Sequence, residues 1–355
     1  MKAGDNINGY LILRDFTTAG GGLSKWTFAE RGGKQYFFKE FLAPTFPLDE
    51  SPGSPKTKQQ KRERCRLFEQ HHGALKDAIA ARCGEGGNLV YTLNFFRSGT
   101  KYYKVTEKID VSGLTVKNIS ALPLEKKVLI LKTVAHSLDI LHGLGIVHGD
   151  LKPDNILIKQ TAEDYYTAKL IDFDNSYFSG KPPAISEEVV GDMVYYSPEL
   201  ALYIQKSGTV SAASLQTKSD VFALGLIYCQ YLTGSLPAFS RKYQYACEAG
   251  LNGEKLETGM SGAPPGLANL LCEMMSAEPE KRPPVKEVFN RLKSVKADEI
   301  AAKPAAATGG RLKISGSLMK KSKDAATTPK PETPKVESES KPTSRLGGTL
   351  IKKRS

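Results

Sequence analysis

Hydrophobic and polar positions alternate in short runs over the first hundred residues, and the period then lengthens. Tyr10-Leu11-Ile12-Leu13 predicts a strand, Trp26 to Ala29 a second, Gln35 to Phe41 a third, and Tyr102 to Glu107 a last one. Between the first two lies Ala19-Gly20-Gly21-Gly22-Leu23-Ser24, a glycine-rich turn. From Glu125 to Leu144 the apolar residues Val128, Leu131, Val134, Ala135, Leu138 and Leu141 recur at three- and four-residue steps, which predicts an amphipathic helix. Ile156-Leu157-Ile158 and Ala168-Lys169-Leu170-Ile171 predict two further strands. Val221 to Leu232 is apolar nearly throughout, interrupted by Gln230, and predicts a buried helix too short to span a bilayer. From about residue 299 onward Ala, Lys, Pro, Ser, Thr and Gly dominate and aromatics almost vanish. Such a segment cannot bury enough apolar surface to offset its ordering entropy, so a disordered tail is expected.

Composition narrows the class of protein. The chain has 355 residues, 40% hydrophobic and 25% charged, ordinary values for a globular protein. Its five cysteines are scattered and never spaced as Cys-x-x-Cys, which argues against a zinc site or a disulfide framework and makes a reducing cytoplasm the default. No apolar signal segment follows Met1, and no membrane span is read. The net charge is +12, but from Ile300 the chain holds thirteen Lys and Arg against four acids. The rest is only mildly basic, so no nucleic-acid partner is expected.

The densest chemistry lies in His148-Gly149-Asp150-Leu151-Lys152-Pro153-Asp154-Asn155. It offers a proton-accepting carboxylate (Asp150), a cation for phosphate (Lys152) and a neutral oxygen ligand (Asn155). Asp172, in Asp172-Phe173-Asp174, follows the second strand of the predicted hairpin. Two acids and an amide at the ends of adjacent strands would converge on one Mg²⁺–phosphate site, because hard cations choose oxygen. Upstream, Lys39 stands inside an aromatic strand, where a charge needs a partner unless it sits at an edge facing water. Glycines 20, 21 and 22 would let backbone N–H groups approach phosphate oxygens, or would simply serve a tight turn.

The octet with Asp172 resembles the H-R-D-L-x-x-x-N and D-F-G loops of eukaryotic-like (Hanks-type) protein kinases, a type frequent in bacteria. Tyr195-Tyr196-Ser197-Pro198-Glu199, Lys218-Ser219-Asp220 and Pro279-Glu280-Lys281-Arg282-Pro283 follow in the order of that family's later motifs. The resemblance covers about residues 10–295. It implies an α+β bilobal fold: a β-rich N-lobe over 1–109, a mainly helical C-lobe over 110–297, and the tail over 298–355. It implies ATP and Mg²⁺ as cofactors and a protein substrate, with γ-phosphoryl transfer to Ser or Thr hydroxyls and autophosphorylation. Asp150 and Lys152 would be catalytic, and Asn155 and Asp172 would hold the metal. Ala19, Gly20, Gly21, Gly22 and Ser24 would cover the phosphates. Lys39, in the place of the Val-Ala-Ile-Lys lysine, would contact them and pair with a helix glutamate, Glu69 or its rival Glu63. Glu107 and Ile109 would offer backbone hydrogen bonds to adenine, with Thr106 at the back of that pocket. Glu199 would pair with Arg282, and Asp220 would hold the catalytic-loop backbone.

Several positions depart from the family pattern. Ala19 and Ser24 replace two of the three glycines of the nucleotide loop. Gly149 replaces the arginine that meets an activation-segment phosphate, so activity should not depend on phosphorylation of Ser176, Ser179 or Ser186. Asp174 replaces the glycine of D-F-G, and Asp192 stands where Thr is usual. A His-Gly-Asp loop also occurs in small-molecule phosphotransferases of the aminoglycoside and choline kinase type, which is one alternative; a pseudokinase scaffold is another. In the tail, Gly316-Ser317-Leu318-Met319-Lys320-Lys321 is echoed by Gly348-Thr349-Leu350-Ile351-Lys352-Lys353, which suggests paired docking motifs for a partner protein.

Overall fold

The computed structural model describes residues 2–18, 24–83, 87–109, 113–161, 165–183, 191–206 and 208–295, all within the unit Met1–Pro304. The expected tail, 298–355, therefore lies outside the described residues.

The N-terminal part is a six-stranded antiparallel sheet. Its strands are β1 (Asn6–Ile7), β2 (Tyr10–Ile12), β3 (Ser24–Arg31), β4 (Lys34–Phe41), β5 (Thr92–Ser98) and β6 (Lys101–Glu107), ordered β1-β2-β3-β4-β6-β5. The turn Gly32-Gly33 joins β3 to β4 with φ of 59° and 75° at its two residues, a conformation that side chains disfavour. Alternation along the strands sorts side chains to two faces. Ala29, Phe38, Tyr103 and Val105 pack with Ile7, Tyr10 and Ile12 on one face. Phe41 and Tyr102 pack on the other against Cys65, with Phe68 and Phe95 alongside.

That second face is covered by α1 (Pro55–Ala80). Ser54 caps it, its Oγ accepting from Thr57 N at 3.2 Å, and Pro55 sits in the first turn where no amide bond is lost. Cys65, His72, Leu75 and Ile79 form its buried stripe at three-, four- and seven-residue steps, while the many Lys, Arg and Gln stay in water.

The C-terminal part is helical around one large apolar cluster. Its helices are α2 (Val116–Ser120), α3 (Leu124–His142), α4 (Pro198–Ile204), α5 (Lys218–Thr233), α6 (Ala246–Leu251), α7 (Pro265–Met274) and α8 (Val285–Lys293). The amphipathic segment predicted over 125–144 is α3, with all six periodic residues buried. The buried helix predicted over 221–232 is α5, longer at both ends and apolar all round because neighbours cover it on every side. Thr217 holds the cap position without a side-chain bond, and Asp220 is turned elsewhere. No helix among the described residues is long and apolar enough to cross a membrane.

Two small ribbons carry the chemistry: β7 (Ile146–Val147) pairs with β10 (Tyr177–Phe178), and β8 (Ile156–Gln160) with β9 (Tyr166–Leu170). In the second, Ile156 lies opposite Leu170, and Ile171 N donates to Asn155 O at 3.0 Å. Asn155 and the loop bearing Asp172 thus leave the same end of one hairpin.

Candidate active site

The loop between β7 and β8 is held by a buried carboxylate. Asp220 Oδ2 accepts from His148 N at 2.7 Å and Oδ1 from Gly149 N at 3.1 Å, while His142 Nε2 lies 2.9 Å from Oδ2. Hydrogen bonds from backbone to an ionised group are the stronger kind, so Asp220 fixes the loop's direction. Gly149 has φ 78°, and a Cβ built there would stand 2.4 Å from Asn175 O. No side chain fits without moving backbone, which explains the loss of arginine in physical terms. Ser176 Oγ donates to His148 O at 2.9 Å, and His148 Nε2 lies 3.1 Å from Ile171 O. The two loops are thereby tied to each other.

Asp150 is oriented from several directions. Its Oδ1 accepts from Asp192 N at 3.0 Å, its Oδ2 lies 3.2 Å from Lys152 Nζ, and Asn155 Nδ2 donates to its carbonyl at 2.7 Å. Asp192 acts here through its backbone; its side chain instead accepts from Val194 N at 3.0 Å. The amide nitrogen of Asn155 is committed to Asp150, so its oxygen is the atom with which it would hold a cation.

Asp172 takes the left-handed conformation, φ 61° and ψ 68°, which aspartate tolerates better than most residues. The twist sends Phe173 into the core, 5.3 Å between ring centroids from His148, and directs the Asp172 carboxylate toward the sheet. There it meets Lys39. Lys39 Nζ donates to Asp172 Oδ1 and Oδ2 at 2.8 and 3.0 Å and to Asp174 Oδ2 at 2.6 Å. In register, Lys39 on β4 lies directly opposite Lys104 on β6, so both ammonium groups leave the same face. Lys104 donates to Asp174 Oδ1 and stands 3.7 Å from Asp172 Oδ1. Like charges opposite each other in a sheet repel, and here two carboxylates separate them. Burial alone would lower the pKa of Lys39; Asp174 and Asp172 outweigh it and hold the ammonium above the ordinary lysine range. Burial would raise Asp174, but Lys104 and Lys39 hold its carboxyl far below the usual carboxylate range.

The expected pairing of Lys39 with a helix glutamate is corrected. Glu69 Oε1 accepts from Tyr102 Oη at 2.6 Å, and Glu63 is paired with Arg66 on the exposed surface. The cause is helical phase: the stripe of α1 that meets the sheet holds Cys65, Phe68 and His72, and Glu69 lies one residue round from it. His72, stacked on Phe95 at 5.0 Å, lies near enough to Asp174, Lys104 and Lys39 to feel their charges. Burial pushes its pKa down to about 3, so its ring is neutral.

The remaining expected residues are placed as follows. Ser24 begins β3, buried and opposite Phe41; Ala19, Gly20, Gly21 and Gly22 lie outside the described residues. Thr106 is buried on β6 opposite Phe37, and Glu107 ends that strand with Oε1 3.3 Å from Lys169 Nζ. Ile109 follows, half-buried. Glu199 and Arg282 form a bidentate pair at 2.7 and 2.8 Å, joined by Ser219 Oγ at 2.7 Å from Glu199 Oε1. Burial would raise the pKa of Glu199, yet the bonds and charge of Arg282 lower it. Sequence reasoning missed Lys104, His72 and the use of Asp174. A signal existed for Lys104, since a lysine between Tyr103 and Val105 inside a strand invites the same question as Lys39.

A model of the protein kinase domain matches residues 57–292. Among curated proteins, a protein kinase and PP2C-like domain-containing protein of Arabidopsis thaliana is 24% identical over 255 residues, 63% of this chain and 35% of that protein. Serine/threonine-protein kinase SBK1 of Mus musculus is 28% identical over 179 residues, 47% and 40% of the two chains. Serine/threonine-protein kinase D of Synechocystis sp. is 28% identical over 179 residues, 48% and 32%. The matched stretches span only about a third of the length of such relatives.

Proposed function

The chain belongs to the protein kinase domain family, and from that premise we propose that it transfers the γ-phosphoryl group of ATP to Ser and Thr hydroxyls of proteins. The observation that carries the reading is the convergence of Asp150, Lys152 and Asn155 with Asp172 at one end of a hairpin, beneath Lys39.

Each residue has a task in that chemistry. Asp150, fixed by Asp192 N and Asn155, would orient the acceptor hydroxyl and take its proton. Lys152, 3.2 Å from Asp150, would stabilise charge on the phosphoryl group in transit. Asp172 and Asn155 are hard oxygen donors that fit Mg²⁺ and would hold it, and the ion would supply neutralisation of phosphate charge. Lys39 would contact the α- and β-phosphates. Catalysis is then mostly positioning and charge neutralisation. Ser24 and the glycines before it would cover the phosphates, while backbone groups of Glu107 and Ile109 would bind adenine.

The fold supports a division into an N-lobe over 1–109 and a C-lobe over 110–297, the cleft between them holding the nucleotide. The buried Glu199–Arg282 pair favours a protein kinase over a small-molecule phosphotransferase, which lacks that arrangement by family pattern. The five free cysteines suit a reducing cytoplasm. The repeated Gly-hydroxyl-apolar-Lys-Lys motifs near 316 and 348 would dock a partner, with Ser317 and Thr349 as sites of self-phosphorylation.

The test is incubation of the full-length protein with Mg-ATP and a generic protein substrate, followed by mass spectrometry. Phosphoserine or phosphothreonine made by the wild type and not by Asp150→Asn is the expected result. Transfer to an aminoglycoside or choline instead of protein, or nucleotide binding without turnover, would overturn it.

A further inference from the structure

Four charged side chains alternate at the junction of the sheet and the loop after β9. Lys39 touches Asp172 and Asp174, and Lys104 touches Asp174 and approaches Asp172. The two lysines are almost wholly buried; among the carboxylates, side-chain exposure is 35% for Asp172 and 14% for Asp174. Asp172 can therefore turn toward the cleft, while Asp174 stays beneath the lysines. When it turns, one carboxylate remains between two ammonium groups, and the cluster presents net positive charge to a polyphosphate. A lone lysine pair without Asp174 would instead repel across β4 and β6.

The helix supplies no acid to this cluster. On α1, His72 lies within electrostatic reach of Asp174, Lys104 and Lys39, but its ring is neutral and wedged against Phe68 and Phe95 at 4.3 and 5.0 Å. Glu69 is bonded to Tyr102 at the flank. We propose that Asp174, itself held by Lys104, is the positioning residue that fixes Lys39, and that the site's competence therefore does not depend on where α1 sits. The proposal rests on the phosphoryl-transfer reading above and names how that site is set. Regulation by swinging a helix carboxylate toward or away from Lys39 is then closed to this protein. Charge at the loop sets the lysine instead.

The test compares Asp174→Asn, which keeps shape, with the full-length wild type in two readouts. Asp174 competes with phosphate for Lys39, so a non-hydrolysable ATP analogue with Mg²⁺ binds Asp174→Asn about threefold more tightly. Turnover per bound nucleotide falls about tenfold, because the phosphates are held but misplaced. Adding His72→Glu to Asp174→Asn returns a carboxylate from the helix side and restores turnover to within about threefold of wild type. Wild-type turnover in Asp174→Asn, or weaker binding of the analogue, overturns the assignment. Should the double variant not fold, Lys104→Met gives the second arm. It leaves Asp174 on Lys39 and lowers turnover less than Asp174→Asn does; an equal or larger loss overturns the assignment. A wild type that transfers no phosphate would sink the phosphoryl-transfer reading, and the titration would still decide this one.

Discussion

The two sides of the cleft are anchored in different ways. On the side of the catalytic loop, buried carboxylates hold backbone: Asp220 takes the amides of His148 and Gly149, and Glu199 locks to Arg282 through two parallel bonds. On the sheet side, side chains hold side chains, and the charges that fix Lys39 come from a loop in the other half of the fold. The first arrangement uses no group to which the proposed reaction gives a second partner. The second is balanced, because Asp172 serves both Lys39 and, in the proposed reaction, the metal. A rigid floor and a charge-set roof suit a reaction whose acceptor must be placed accurately while the nucleotide comes and goes.

Breaking the floor should produce the largest effects. Asp150→Asn keeps shape but removes the proposed proton acceptor, and turnover on a protein substrate should fall roughly 10²–10⁴-fold in steady-state assays. Arg282→Met strands the Glu199 carboxylate in the core, and denaturant melts should show a loss of about 3–5 kcal/mol. Replacing both partners by apolar residues should cost less than that single change, since no charge is then left unpaired. The pair also has a pH signature. The carboxyl of Glu199 titrates lower in the folded chain than in the unfolded one, so its stabilisation is present above the unfolded value. It is lost as pH falls through the folded value. Wild type should therefore lose more stability on acidification than the doubly apolar variant.

On the roof the expected effects are smaller, and their pattern matters more than their size. Glu69→Gln keeps an acceptor for the Tyr102 hydroxyl but removes the carboxylate, and it takes no partner from Lys39, so turnover should stay within about twofold of wild type. A tenfold loss would restore a helix glutamate as the partner of Lys39. Smallest of all should be the effect of Ser179→Ala with Ser186→Ala. Position 149 carries glycine where a phosphate-receiving arginine would stand, so phosphate-free enzyme should show unchanged turnover; Ser186 itself lies outside the described residues. Ser176 does not belong in that experiment. It is buried and bonded to the His148 carbonyl, so its hydroxyl is structural.

The floor was legible in the sequence because its chemistry is contiguous. His148 to Asn155 fall within one loop, and the two strands predicted after it already implied a hairpin that returns Asp172 to the same end. Four of the sheet's six strands and the periodic stripe of α3 were equally readable, being set by local alternation and spacing, whereas β1 and β5 were not anticipated. The roof was not, for three physical reasons. The partner of Lys39 depends on which stripe of α1 faces the sheet, and a displacement of one residue separates Glu69 from the buried row. Lys104 matters only through its register with Lys39, a pairing between strands more than sixty residues apart in sequence. Asp174 read as a perturbation beside the metal ligand because its two lysines come from that register. The end of α5 shows the same limit in miniature: Asp220 has the composition of a helix cap, but tertiary contacts direct it to the catalytic loop.

The most direct measurement is a crystal structure of the full-length protein with Mg²⁺ and a non-hydrolysable ATP analogue. The account predicts that Asp172 turns to the metal while the Asp174 carboxylate remains within hydrogen-bond distance of both Lys39 and Lys104, with no carboxylate of α1 in contact with Lys39. A structure in which Glu69 reaches Lys39 and Asp174 points away from it would contradict the account.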